Sequence, residues 1–286
     1  SSEDMMAVED ADYKYISVNK AYLRYYQLKR EEVVGSEAKK IIGEKCFKET
    51  VKPNLDKCLA GETVQFEMIR EFTEFGKVHL DIIYYPLEKD EKIEGVVSAI
   101  RDITDRKKYE RELYIKNQIS NSFIQSEDKN FYKEVLDVIR EVFSSEYGYF
   151  GYINNDGDLV SESLTKDIWN KCQVEDKNIV FTKDSWTGVW GDSLKRRKTL
   201  YKNGNLQLPE GHVQLTSVMA APILANDQLI GQIALANKKN GYNDSDKALI
   251  QRLSNYIAPL LHSKLKEEQY KKDLLEAKEK AKESDR

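Results

Sequence analysis

The sequence predicts an α+β chain of two domains, each a central antiparallel sheet with flanking helices, joined and followed by long helices. Three observations carry that prediction. At 286 residues the chain is long enough for about two domains, each with its own core. The apolar run Ile93-Glu94-Gly95-Val96-Val97-Ser98-Ala99-Ile100 reads as a strand, stops at Asp102-Ile103-Thr104-Asp105-Arg106, and gives way to a polar, helix-prone stretch. The same succession, apolar strands followed by a long charged helix, returns at the end of the chain. A sheet that feeds directly into a long helix can pass strain from a ligand pocket to something downstream, so the chain reads as a relay.

The first unit is expected over residues 1–105. Residues 5–10 and 14–18 read as two strands joined by a turn at Asp10-Ala11-Asp12, and helical material follows to about Leu59, ending at Gly61. Asn19 suits a helix N-cap, because its side chain can accept the first free N–H groups. Gly35 suits a helix end that needs positive φ. Three strands come next, at 64–72, 77–85 and 93–101, separated by Gly76 and the Glu88-Lys89-Asp90 cluster. In the middle one Val78, Leu80, Ile82 and Tyr84 alternate with Lys77, His79 and Asp81, which gives one packed face and one wetter face.

Residues 106–126 are expected to form a connecting helix. Thr104 is placed as its N-cap, with Asp105 where the helix dipole favours negative charge. Tyr109, Leu113, Lys116, Ser120 and Phe123 keep the four-then-three spacing of a heptad. The second domain is expected over 127–262. Phe131, Val135, Val138, Ile139 and Val142 sit at helical spacing and read as a buried face. Residues 147–153 read as a strand that turns at Asn154-Asn155-Asp156-Gly157-Asp158. Residues 217–224 and 229–237 read as a hairpin around Asn226-Asp227, after which Asn243 caps a closing helix with Asp246 in its first turn. The tail, 263–286, is expected to be a coiled-coil-like helix leading to an output domain beyond residue 286. Tyr256, Leu260, Ser263, Glu267, Tyr270, Leu274, Ala277 and Ala281 keep a heptad seam, weakened by the two polar members. Position 1 is Ser rather than Met, so the sequence is read as part of a longer protein.

Several motifs in the first hundred residues resemble a PAS domain. Asp102-Ile103-Thr104 resembles the family's closing motif, Tyr15-Ile16-Ser17-Val18-Asn19-Lys20-Ala21-Tyr22 its strand-to-helix passage, and Glu31-Glu32-Val33-Val34-Gly35 its acidic turn. In the second domain Ser217-Val218-Met219-Ala220-Ala221-Pro222-Ile223, the segment 229–238, and Gly241-Tyr242-Asn243-Asp244-Ser245-Asp246 resemble a GAF domain. The runs 188–192 and 208–212 resemble a GAF subgroup common in bacterial and archaeal sensor kinases. The resemblance implies a sensory region of a two-component sensor histidine kinase, cytoplasmic, dimerising through its helices, with Asp102, Thr104 and Arg106 in the signal relay.

Charge and motif content exclude several other functions. Charged residues make up 33% of the chain but nearly cancel, to a net of −4, so no nucleic-acid signature is present. No apolar run approaches the roughly 18 residues of a membrane span. Cys46, Cys58 and Cys172 are odd in number and unpaired in spacing, as expected of a reducing cytoplasm. No Walker, Rossmann, HExxH or paired CxxC pattern occurs. His262 is not followed by the acidic, then basic and Pro positions of a phosphoacceptor His. The segment is therefore expected to have no catalysis of its own, and its single second-domain cysteine excludes the methionine-sulfoxide reductase chemistry of some GAF relatives.

Two pockets are expected. In the second domain Trp169, Cys172, Trp186, Trp190, His212 and Asn237 would line a ligand site, an aromatic box with one thiol and one imidazole, in which Trp186, Trp190 and His212 fall in the covering loops. Cys172 or His212 would be the ligand if haem or a chromophore were bound, although no cofactor and no metal is the favoured expectation. The plainer alternative makes these Trp residues core and lid packing. In the first domain Tyr22, Tyr26, Phe47, Phe66 and Met68 would line the cavity, against the plainer reading of ordinary core. Neither Cys46 nor Cys58 matches the reactive-cysteine motif of photoactive PAS domains. Two further classes stay open: a cofactor-dependent redox, gas or light sensor, and a dimerisation scaffold upstream of a cyclase or transcription regulator.

Overall fold

The computed structural model describes residues 4–126, 129–164, 180–204, 206 and 213–284. The chain divides into two compact units, Ser1–Arg111 and Glu112–Arg286.

The first domain is built on an antiparallel sheet of β1 (Met5–Asp10), β2 (Tyr15–Val18), β3 (Val64–Phe72), β4 (Gly76–Lys89) and β5 (Lys92–Asp102), in the order β2-β1-β5-β4-β3. One sheet face is apolar, with Met5, Ala7, Val78, Leu80, Ile82 and Tyr84 buried. The helices between β2 and β3 cover that face. These are α1 (Lys20–Tyr26), α2 (Arg30–Val33), α3 (Ala38–Ile42), α4 (Glu44–Cys46) and α5 (Lys52–Leu59), with a π-helical turn at Phe47–Val51. Asn19 caps α1, its Oδ1 accepting from the Tyr22 amide at 2.9 Å and from the Met6 amide at 3.1 Å. Gly35 takes φ +83° in the turn after α2. β4 and β5 run longer than the sequence reading placed them. They close through Asp90 and Glu91, both at positive φ, in the turn chemistry that matches strand twist.

α6 (Thr104–Gln125) begins in the first unit and ends in the second. In the second, α7 (Asn130–Phe143) and α9 (Asp244–Ser284) pack on the sheet of β6 (Ser145–Ile153), β7 (Leu159–Leu164), β8 (Val180–Phe181), β9 (Leu200–Asn203), β10 (Ser217–Ala225) and β11 (Gln228–Lys238). Among the described residues the strand order is β8-β7-β6-β11-β10-β9, all antiparallel. The edge strands β8 and β9 were not foreseen, being two and four residues long and only partly buried. α8 (Gly188–Arg196) also differs from expectation, since the sequence reading placed Trp190 in a covering loop. The β10–β11 hairpin turns through Asn226 and Asp227 at φ +48° and +60°. Asn243 and Asp246 form a reciprocal cap on α9, each side chain accepting from the other's amide.

α9 is one continuous helix of 41 residues with Pro259 inside it. Pro259 lies on the exposed face, where its missing N–H removes a bond from the solvent side. The heptad seam of the tail has two environments. Tyr256 and Leu260 pack against the second domain's own core, whereas Tyr270, Leu274 and Leu275 are exposed. The C-terminal half of α6 lies alongside α9. Glu112 accepts from Arg252 Nε at 2.9 Å, and Ser120 Oγ meets Tyr256 Oη at 2.5 Å, so the two helices run parallel. Ile115, Ile119 and Phe123 of α6 are buried in this core.

Candidate functional site

The site begins with a strand pattern. Met5, Ala7 and Glu9 share one face of β1, and Phe66, Met68, Arg70 and Phe72 share one face of β3. Those faces point inward, so a carboxylate and a guanidinium are carried into an otherwise apolar interior. They line a cavity of about 30 Å³, with Tyr15, Tyr22, Tyr26, Met68, Tyr84 and Ser98 among its walls.

Glu9 is buried, and its Oε2 accepts from Ser98 Oγ at 2.8 Å. Burial pushes its carboxyl up to about 7, against the pull of the Ser98 hydroxyl. Tyr22 Oη donates to Tyr15 Oη at 2.6 Å, and the Tyr22 and Tyr26 rings stack with centroids 4.5 Å apart. Burial holds the Tyr15, Tyr22 and Tyr84 hydroxyls well above their ordinary range, with the Glu9 charge adding to it, so all three stay neutral donors. Arg70 is half-buried, its guanidinium 4.9 Å from the Tyr26 ring centroid. Its Nη1 donates to Ile42 O at 3.0 Å and Nη2 to Ile41 O at 3.4 Å, while its buried Nε has no partner. Of the residues expected here, Tyr22, Tyr26 and Met68 line the cavity. Phe47 and Phe66 pack around it, Phe47 edge-on to Tyr13 and Phe66 edge-on to Tyr84. Cys58 is fully buried, and burial pushes its thiol up to about 11, which leaves it inert.

α1 connects this cavity to the exit from the domain. Tyr22 and Tyr26 face the cavity, and Tyr25 between them donates from Oη to Asp102 Oδ2 at 2.8 Å. The other Asp102 oxygen accepts from the Thr104 amide at 2.8 Å. Thr104 is the first residue of α6 and does not cap it. Its hydroxyl instead accepts from the His79 amide at 2.9 Å, while the Ile103 amide donates to His79 O at 2.8 Å. Burial raises the Asp102 carboxyl, but the hydrogen bonds from Thr104 and Tyr25 outweigh it and leave the group below its ordinary range. Arg106, one turn on, reaches Glu67 of β3 at 3.4 Å and Glu110 at 3.6 Å. Asp102, Thr104 and Arg106 therefore fasten the start of α6 to α1, β4 and β3.

Of the residues expected in the second domain, Trp186 and Trp190 share one apolar cluster with Leu159, Phe181 and Leu194, and Asn237 is not part of it. Trp169, Cys172 and His212 lie outside the described residues. Trp186 is 6% exposed, packs with Leu159 and Leu194, and donates from Nε1 to Phe181 O at 3.1 Å. Trp190 is half-buried, edge-on to Phe181, and its carbonyl accepts from Gln232 Nε2 at 2.9 Å. Gln232 in turn accepts from the Tyr149 hydroxyl. Asn237 stands elsewhere, at the end of β11 at φ +59°, where its Oδ1 accepts from the Thr216 amide at 2.9 Å. No group of three His, Cys, Asp or Glu suited to a metal ion occurs among the described residues. An open groove of about 380 Å³ between Arg197–Leu200 and the start of α9 is lined mainly by polar side chains.

Glu9, Arg70 and Ser98 were missed by sequence reasoning, though the signal was present. Each occupies an inward position of a strand whose inward neighbours are apolar, where a polar or charged residue is the informative exception.

Comparison with known proteins agrees with this architecture. The family model described as a PAS fold matches residues 1–108, and that described as a GAF domain matches residues 127–262. The chain is a PAS domain followed by a GAF domain, two sensory domains in tandem. It is similar to the methyl sulfide methyltransferase-associated sensor of Methanosarcina acetivorans, 24% identical over 286 residues. That alignment covers 93% of this chain and 28% of the relative, so the chain spans little more than a quarter of that sensor's length. Among solved structures, the GAF domain of A. aeolicus nlh2 in an inactive state aligns at 17% identity, covering 55% of this chain and 98% of that one, with a TM-score of 0.41. The PAS domain of a Colwellia psychrerythraea protein aligns at 17% identity, covering 37% of this chain and 90% of that one, with a TM-score of 0.32. A PAS–GAF tandem with a sensor relative has a signalling role. No helix among the described residues is long and apolar enough to cross a membrane.

Proposed function

We propose that this chain is the sensory region of a cytoplasmic signal-transduction histidine kinase, dimerising through its helices and catalysing nothing itself. The observation that carries the proposal is the Tyr25–Asp102–Thr104–His79 junction. It joins the helix that walls the PAS cavity to the first turn of the helix that leaves the domain. A change at Tyr22 or Tyr26 tilts α1, moves Tyr25, and alters the hold of Asp102 on α6. The far half of α6 is part of the GAF core and runs parallel to α9, so displacement of α6 bears on the helix that continues toward the C-terminus. The ligand shifts this arrangement only by its differential affinity for two packings. The exposed Tyr270 and Leu274 of α9 are the surface through which two copies would pair.

The test uses the full-length gene product, assayed for ATP-dependent phosphorylation on histidine. Wild type is expected to autophosphorylate, and Tyr25→Phe and Asp102→Ala to change the rate or its regulation. Absence of phosphohistidine would remove the kinase assignment and favour a cyclase or a transcription regulator as output. Wild-type behaviour of both variants would remove the relay. The isolated segment 1–286 is expected to take no phosphate from labelled ATP.

A further inference from the structure

Two groups of opposite charge type line the PAS cavity and, among the described residues, pair neither with each other nor with any other side chain of opposite charge. Arg70 forms no ion pair among the described residues, and the partners of its Nη atoms are two carbonyls and the Cys46 sulfur at 3.8 Å. Backbone carbonyls solvate a guanidinium but do not neutralise it, and its buried Nε–H remains unsatisfied. The flanking Tyr26 and Phe72 ring faces, 4.9 and 5.6 Å away, hold the guanidinium plane in place. On the other side the side-chain partner of Glu9 among the described residues is a neutral hydroxyl, that of Ser98. Tyr15, held above its ordinary range chiefly by burial, lies in the field of both, Glu9 adding to the rise and Arg70 opposing it.

Resting on the reading of this cavity as the sensed site, we propose that it binds a small monoanion of the carboxylate class, seated on Arg70 and accompanied by a proton on Glu9. The class follows by elimination. A cation would face an unneutralised guanidinium, and an apolar ligand would leave the Arg70 Nε–H unmet. An anion accepts from that N–H and from the neutral tyrosine hydroxyls, in charge-assisted hydrogen bonds. The cavity of about 30 Å³ restricts the occupant to a few heavy atoms and excludes nucleotides, flavins and haem. An ionised Glu9 would repel the anion within a closed interior, so the bound state requires the neutral carboxyl. Tyr15 of β2, Tyr22 and Tyr26 of α1, Tyr84 of β4 and Cys58 of α5 lie in the field of Glu9, and burial keeps them neutral, so none supplies the charge that would replace this proton. Cys46 of α4 and the Arg70 guanidinium of β3 line the same cavity. Because Glu9 titrates near 7, the proton is already in place in mildly acidic solution and must be taken up at higher pH.

The experiment is calorimetric and NMR titration of the 286-residue chain with acetate, formate and propionate at pH 6 and pH 8. Wild type is expected to bind at pH 6 and to bind about tenfold more weakly at pH 8. Arg70→Gln should abolish binding, and Arg70→Lys, which keeps the charge if the Gln variant fails to fold, should weaken it. Glu9→Gln should bind equally at both pH values. Undiminished binding by a folded Arg70→Gln overturns the proposal. So does preference for methylammonium, or binding of zwitterionic glycine that Glu9→Gln abolishes. Absence of binding by all three carboxylates also overturns it, yet leaves the relay standing, since Tyr25→Phe in the full-length protein tests that separately.

Discussion

The two interiors of this chain are built on different principles. The PAS interior holds a carboxylate, a guanidinium and four tyrosines around a small cavity, with hydrogen bonds that stop short of satisfying every group. Among the described residues the GAF core beneath α7 and α9 carries no buried charge and is mostly apolar: Phe131, Val135, Ile139, Phe150, Ile233 and Leu253 are each fully buried, and its unpartnered polar atoms, the Tyr132 and Ser254 hydroxyls, are neutral. Fully packed aliphatic and aromatic side chains give stability and transmit displacement, because dense interiors resist compression. Unsatisfied charge in a cavity gives the opposite property, a state that a proton or a ligand can change. On the function proposed above, that difference would place detection in the first domain and transmission in the second.

The largest expected effect comes from emptying the packed side. Trp186→Ala removes a buried ring wedged between Leu159 and Leu194 and should cost about 3–5 kcal/mol in thermal or denaturant unfolding. Trp190→Ala, at a half-buried edge-to-face contact, should cost clearly less. Equal losses would mean that Trp190 is as much a part of the core as Trp186.

Changing the charged side should instead alter pH dependence. The folded state binds the Glu9 proton more tightly than the unfolded chain, with a value of about 7 against an ordinary 4.5. Its stabilising contribution is therefore complete below about 4.5 and is lost as pH rises through about 7. At about 1.4 kcal/mol per pH unit, the loss amounts to about 3 kcal/mol. Glu9→Gln should remove that decline, so that the variant gains on wild type at pH 8 but not at pH 4. A parallel pair of stability–pH curves would contradict the buried ionisable carboxyl.

A third variant separates the two halves of α9. Tyr270→Asp with Leu274→Asp touches only exposed side chains, so unfolding should be nearly unchanged. Light scattering should nonetheless shift from dimer to monomer, because the pairing seam would bury unpaired charge. Leu260 is unsuitable for this test, since it packs against the GAF core of its own chain.

Much of this was legible in the sequence, and what was not has a physical reason. The antiparallel sheets, the Asn19 cap and the Asn243–Asp246 cap followed from strand alternation and from side chains that reach amides within one turn along the chain. The role of Thr104 was misread, because a Thr before a helix suits a cap, and only the neighbouring strand reveals His79 N–H as its donor. Heptad spacing in α6 and α9 was recognised as a seam, but periodicity does not name the partner. Lys116, Ser120 and Tyr256 meet each other within one chain. The PAS cavity was sought among aromatic residues, which mark apolar volume. Its character comes from Glu9 and Arg70, whose inward positions depend on register across five strands.

The smallest chemical change, one hydroxyl, carries the central claim. Tyr25→Phe deletes one hydroxyl and one hydrogen bond to Asp102, worth about 1 kcal/mol, and leaves the cavity walls in place. Amide hydrogen exchange of residues 104–111 is the measurement, made at one pH on four proteins: wild type, Glu9→Gln, Tyr25→Phe and the double variant. The account predicts that Glu9→Gln alters protection of the first turns of α6 when Tyr25 is intact and leaves it unaltered when the Tyr25 hydroxyl has been removed. The same change in both backgrounds, or none in either, would contradict a signal carried from the cavity through Tyr25 and Asp102.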